Sequence, residues 1–145
     1  MTYNWQGNPD LSAKSDQDHL KDVISALDTE ILKHHDDFKA IFLRANAYLD
    51  SGKYLDAITD YLHILENEPK HPTALNNLGI CYRSLGDPEK AIDKFNQAIN
   101  LNANYRDAFN NRGMAFSDMD KMDEAINDFN KAIELDSKYW YAFSN

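Results

Sequence analysis

Long apolar runs are missing from this chain of 145 residues. No stretch approaches the roughly 18 apolar residues read as a membrane span. No apolar segment follows a basic start near Met1, as a secretory leader would require. Cysteine is nearly absent: the single Cys81 rules out an internal disulfide framework and leaves no paired-cysteine metal spacing. Basic residues are outnumbered, 15 Lys and Arg against 24 Asp and Glu, for a formal net charge of −9. Duplex nucleic acid and anionic lipid surfaces both select a basic footprint, so neither partner nor insertion into a membrane is expected. Signatures of chemistry are lacking too, with no GxGxxG, Walker loop or HExxH. The sequence calls for no cofactor, no metal and no catalytic residue, and a cytoplasmic location is the default. His34-His35-Asp36-Asp37 reads as an interhelix loop, because adjacent residues rarely converge on one ion. His63 reads as a helix-surface histidine, and Cys81 as a small buried hydrophobe.

What is present is a period. Asn76-Asn77-Leu78-Gly79 returns 34 residues later as Asn110-Asn111-Arg112-Gly113, Ala91-Ile92 as Ala125-Ile126, and Phe95-Asn96 as Phe129-Asn130. Laying 72–105 over 106–139 pairs identical residues at 12 of 34 positions, and Ala45, Tyr48, Gly52, Ala57, Ile58 and Tyr61 extend the columns to 38–71. A fixed period of this length marks one supersecondary unit stacked repeatedly. Each unit splits into two helical patterns, the first over about 38–50, 72–84 and 106–118, the second over 54–67, 88–101 and 122–135. Gly52 and Gly86 suit the left-handed turn between them, with Asp120 a less comfortable third. Asp87-Pro88 offers a cap followed by proline at the first helical position. Small residues (Ala45, Gly79, Gly113; Ala57, Ala91, Ala125) lie one turn before rings (Tyr48, Tyr82, Phe116; Tyr61, Phe95, Phe129). That alternation predicts close helix contacts with aromatics filling the space beside them.

These columns resemble the tetratricopeptide repeat (TPR) family. A large apolar residue (Ile41, Leu75, Phe109) precedes the small residue and the aromatic of the first helix. The alanine and aromatic of the second helix follow, and the late small column holds Ala98 and Ala132 but Ile64 in the first unit. The family's late proline survives only as Pro69. The resemblance covers about 38–145 and implies an all-α, right-handed superhelical solenoid of antiparallel helix pairs. It has repeats at 38–71, 72–105 and 106–139 and a truncated fourth at 140–145. Ahead of it we expect a flexible lead-in over 1–16 and a capping helix within 17–37, whose Val23, Ile24 and Leu27 occupy the columns of Ala57, Ile58 and Tyr61.

TPR stacks present their first helices along a concave groove, which implies a non-catalytic protein-interaction module binding an extended peptide or partner segment. Spacing assigns to that groove Phe42, Asn46, Asn76, Asn77, Ile80, Arg83, Asn110, Asn111 and Met114, with Tyr105 at the rim. Asn77, Asn111 and Asn145 share a column; an amide both donates and accepts, so such a row can pair with a peptide backbone whatever its side chains. Some arrays of the family, including that of the O-linked N-acetylglucosamine transferase, use asparagines this way. Where the family's clamps for acidic chaperone tails carry cations, this chain holds Phe42, Asp107 and Asn111, which argues against that ligand. Two alternatives stand beside the groove. The array could position substrate within a larger enzyme, or Trp140, Tyr141 and Phe143 could contact a next repeat or a second copy, making a homo-oligomer through the C-terminal face.

Overall fold

Local capping chemistry sets where α1, α2, α4 and α5 start. The computed structural model describes residues 15–144, with side chains described as far as Lys138. Ser15 accepts the Asp18 amide (3.2 Å) and opens α1, Asp16–Lys33. Asp37, at the end of the His-His-Asp-Asp run, accepts the Ala40 amide (3.0 Å) and opens α2, Phe38–Asp50. That run is therefore a turn with a capping carboxylate. Helix α3, Tyr54–Asn67, starts without a side-chain cap, whereas His71 Nδ1 accepts from Ala74 (3.0 Å) to open α4, Pro72–Ser84. Asp87 opens α5, Pro88–Leu101, by accepting from Lys90 (3.1 Å). Helix α6 spans Arg106–Asp118 and α7 spans Met122–Ser144. Each side-chain cap satisfies one of the amides that a first turn otherwise leaves unpaired.

The turns inside the units repeat atom for atom. Gly52, Gly86 and Asp120 take positive φ (75°, 82° and 58°). The amides of Lys53, Asp87 and Lys121 then reach back to the carbonyls of Tyr48, Tyr82 and Phe116 at 2.8–2.9 Å. This six-to-one bond ends the first helix of each unit in one geometry and returns the chain antiparallel. Neighbours in sequence pack in order from α1 to α7. The first helices also touch across units, α2 with α4 and α4 with α6, while among the described residues no two second helices do. The first helices therefore form one row on the inner side of the stack.

Packing between the two helices of a unit depends on a ring pressed against a residue without a side chain. A Cβ placed on Gly79 would lie 2.5 Å from the fully buried Phe95 ring, and one on Gly113 would lie 2.8 Å from Phe129. The first unit solves the same problem with Ala45 beside Tyr61, both fully buried. A polar clasp reinforces units one and three. Arg44 of α2 holds Asp60 of α3 through two bonds of 2.8 Å and reaches Asp28 of α1 at 2.9 Å. In the same columns Arg112 forks onto Asp128 (2.8 and 2.7 Å) and reaches Asn96 of the preceding helix at 2.8 Å. Hydrogen bonding to Asp60 holds the Arg44 guanidinium above its ordinary range, against the burial that opposes its charge. Unit two replaces this clasp with the buried Leu78 and with Lys94. Asp28 lies in the column of Asn96, so α1 packs in the place of a second helix.

The last helix departs from the periodic expectation. It does not end near 135 but runs unbroken to Ser144, so 140–145 opens no separate helix among the described residues. Units one and two end at Glu68-Pro69 and at Asn102, whose side chain accepts the Asn104 amide (3.1 Å). Unit three has neither device. Its Ser137 hydroxyl bonds the Ile133 carbonyl (2.9 Å) and Lys138 pairs with Glu134 (2.9 Å), both within the helix.

Two substitutions test this packing by urea unfolding. Gly79→Ala should lower stability by about 1–3 kcal/mol, although alanine alone would gain ~1 kcal/mol over glycine in a helix interior. Asp128→Ala, which strands Arg112, should cost up to about 3 kcal/mol. Combining Arg112→Leu with Asp128→Lys, which copies unit two, should cost less than that single change.

Candidate functional site

Along the inner row the asparagines bond to one another. Asn111 of α6 donates to Asn76 of α4 (3.1 Å), Asn76 lies 3.5 Å from the Asn77 carbonyl oxygen, and Asn77 donates to Asn46 of α2 (3.2 Å). The Tyr61 hydroxyl from α3 closes the chain on the same Asn46 oxygen. Tyr61 is the only one of the three ring-column residues with a hydroxyl (Phe95 and Phe129 have none), so this end of the relay belongs to unit one. Burial pushes the Tyr61 hydroxyl well above its usual range, with the Asn77 amide opposing. The relay crosses all three units and leaves no fully buried side-chain polar atom without a partner among the described residues.

This geometry sorts the residues that spacing had grouped together. Asn46, Asn77 and Asn111 are half-buried on the inner row with amide valence left over. Asn76 is only 4% exposed: α6 covers it, and it joins units rather than facing the groove. Asn110, in the same column one unit on, is exposed and donates to Met114 Sδ (3.7 Å). Asn145, Trp140, Tyr141 and Phe143 fall outside the described side chains. Phe42 leans on Tyr61 (ring centroids 6.2 Å) and His71 (5.1 Å), and Ile80 packs partly against Ala91, Phe95 and Ala115. Tyr105 is half-buried against Leu75, Ala98 and Ala108. Burial raises its hydroxyl, while Thr73 and Asn76 within hydrogen-bond reach oppose the rise. Arg83 forks onto Asp118 of the next first helix (2.6 and 3.1 Å), so its charge is already paired along the row.

Spacing alone missed two features. The Arg–Asp clasps carried a signal, since 44 and 112, and 60 and 128, are equivalent columns. The second is a cleft of about 550 Å³ at the end of the stack, lined by Arg106, Asp107, Asn110, Phe129, Ala132, Ile133 and Asp136. Arg106 spans it, bonding Asp136 at 3.0 Å and Asp107 at 2.9 Å. Cys81 is fully buried and His63 is an exposed residue set edge-on to Phe38 (5.6 Å). Among the described residues no group of three or more His, Cys, Asp or Glu is placed to hold a metal ion. No described helix is long and apolar enough to cross a membrane.

Antiparallel helix pairs stacked so that one row of first helices lines an inner face define a helical-repeat solenoid. The tetratricopeptide repeat pattern matches residues 42–109 and again 107–139, and the chain belongs to that family. With the fold comes its general role, a protein-interaction module. Among curated relatives, 69 residues are 41% identical to anaphase-promoting complex subunit 3 of Dictyostelium discoideum, covering 46% of this chain and 7% of that protein. Another 59-residue match, 42% identical, is to tetratricopeptide repeat protein 36 of Caenorhabditis elegans, covering 40% of this chain and 33% of that one. The chain thus spans a minor part of the curated relatives it matches. Among solved structures, MamA superposes with a TM-score of 0.77 at 23% identity, covering 84% of this chain and 71% of that one, a likeness of fold alone. The first TPR of Spaghetti (RPAP3), bound to HSP90 peptide SRMEEVD, superposes with a TM-score of 0.65 at 30% identity, covering 68% and 78%.

Burial has one chemical consequence to measure. It pushes the Cys81 thiol up to about 12, so the thiolate is scarce near neutral pH. Iodoacetamide at about pH 8 should leave Cys81 unmodified in the folded protein and alkylate it once urea unfolds the stack, as read by mass spectrometry.

Proposed function

We propose that the inner row of first helices holds an extended peptide segment of neutral or basic character. The observation that carries this reading is the amide relay. Asn46, Asn77 and Asn111 each spend part of their valence on a neighbour, which orders their side chains and leaves amide groups on the inner row for a ligand. Groups ordered before a ligand arrives lose less entropy when it binds. A backbone needs alternating donors and acceptors, which amides supply without regard to sequence. Phe42, Ile80 and Met114, half-buried along the same row, offer apolar contacts for side chains.

The Spaghetti repeat holding an HSP90 peptide supports the mode of binding, because its fold is close and its ligand is a short linear segment. Charge argues for a different ligand class. This groove has Phe42, Asp107 and Asn111 where the acidic-tail clamps carry cations, Asp50 and Asp107 are exposed, and Arg83 is neutralised by Asp118. An acidic tail would meet like charge at Asp50 and Asp107.

Peptides selected from a displayed random library on the wild-type chain should be depleted in Asp and Glu. Asn77→Ala with Asn111→Ala should weaken the selected peptide by about 1–3 kcal/mol, measured by calorimetry on protein whose circular dichroism is unchanged. Full affinity in the folded double variant, or tight saturable binding of SRMEEVD itself, would overturn the reading.

A further inference from the structure

The amides of the inner row do not keep the same valence. Asn46 Oδ1 accepts from both the Tyr61 hydroxyl and Asn77 Nδ2 (3.2 Å). A carbonyl oxygen has two lone pairs, so this one is filled. Burial holds the Tyr61 hydroxyl well above its usual range, and it keeps the proton it donates. Asn46 Nδ2 makes no hydrogen bond within the described residues, yet no fully buried side-chain polar atom among them lacks a partner. That nitrogen therefore meets solvent, with two N–H groups to give.

The other two amides are left differently. Asn111 gives one N–H to Asn76 (3.1 Å) and keeps its oxygen, which takes no bond among the described residues. Asn77 gives one N–H to Asn46, and its oxygen, 3.5 Å from Asn76 Nδ2, keeps a second lone pair. Each can therefore pair with both the N–H and the C=O of one extended residue, whereas Asn46 can serve only carbonyls. The difference belongs to unit one, because Phe95 and Phe129 in the Tyr61 column have no hydroxyl. A ligand N–H turned toward Asn46 would face donors. Proline is the residue without that N–H, and its fixed φ suits an extended chain. Aromatic surface stands beside the site. Phe42, one turn before Asn46 on the same face of α2, is half-buried against the His71 ring (5.1 Å between centroids). Aromatic side chains are what proline rings pack on in grooves that read extended peptides.

We propose that the unit-one end of the inner row reads proline: Asn46 donates to backbone carbonyls at a ligand position that has no N–H, and the ring of that residue lies against Phe42. Asn77 and Asn111 hold ordinary residues further along. This inference rests on the groove reading above.

Peptides selected on the wild-type chain from a random library joined to its carrier at both ends should carry proline at one fixed position. Two synthetic versions, capped by acetyl and amide, then hold alanine or N-methylalanine at that position. Wild type should bind the N-methyl peptide at least as tightly as the alanine peptide, by calorimetry. In Asn46→Asp one oxygen still accepts from Tyr61 and Asn77, while the other replaces the outward donor. That variant, with unchanged circular dichroism, should bind the N-methyl peptide roughly 3–10-fold more weakly than the alanine peptide. Both peptides carry the same charge, so the added carboxylate does not bias the ratio. Absence of an enriched proline would overturn the inference, as would an N-methyl penalty in wild type or one ratio for both proteins. If peptides bind, and Asn77→Ala with Asn111→Ala weakens them, such a result leaves the groove reading standing. If no library peptide binds, both fall.

Discussion

The contact of a phenylalanine ring with a bare helix backbone fixes much of this molecule. Phe95 and Phe129 leave no room for a single carbon on Gly79 or Gly113, so the two helices of units two and three approach as closely as backbone and ring allow. Separation in turn sets register. Arg112 reaches Asp128 with two bonds because its helix is held at that distance, and the same fork at Arg44 and Asp60 follows from Ala45 beside Tyr61. Unit two manages with Leu78 in place of arginine, which shows that the fork reinforces a spacing already set by apolar contact.

Polarity within the stack is organised differently from polarity on its surface. Asn111, Asn76, Asn77, Asn46 and Tyr61 form a continuous series from one unit to the next, so the row of first helices is joined by hydrogen bonds as well as by packing. A buried amide without a partner would cost about 1–3 kcal/mol, and the series meets that cost while leaving oriented groups at the inner face. If the inner row holds a peptide as proposed, stability and recognition share the same side chains. The likeness to a solved repeat that holds a short peptide agrees with such a face.

The ends differ because one carries what a neighbour would otherwise supply. Asp28 of α1 takes the place of a preceding second helix in binding Arg44, and the far side of α1 is polar. At the other end α7 keeps its apolar columns exposed and extends beyond the unit that needs it.

Helix positions and the ring-on-small-residue core were legible from the 34-residue period alone, because column identity encodes a local and repeated geometry. So was the left-handed turn at Asp120, since Gly52 and Gly86 mark its column. The candidate site was half legible. Sequence put Asn46, Asn77 and Asn111 on the inner row, but it also grouped Asn76 and Asn110 with them, although that column faces the next unit. Nor did it show that the amides bond mainly to each other, or that Arg83 is neutralised by Asp118. Those outcomes depend on the shift between one unit and the next, a tertiary quantity that no single-unit pattern contains. The end of α7 was beyond the period too: without proline or an asparagine turn at 136–139, backbone hydrogen bonding simply continues. Sequence by itself determined the repeat, its two helices and its core columns, because those are local. The tertiary structure decided which polar groups face outward and where the array stops being periodic, because both depend on what each unit packs against.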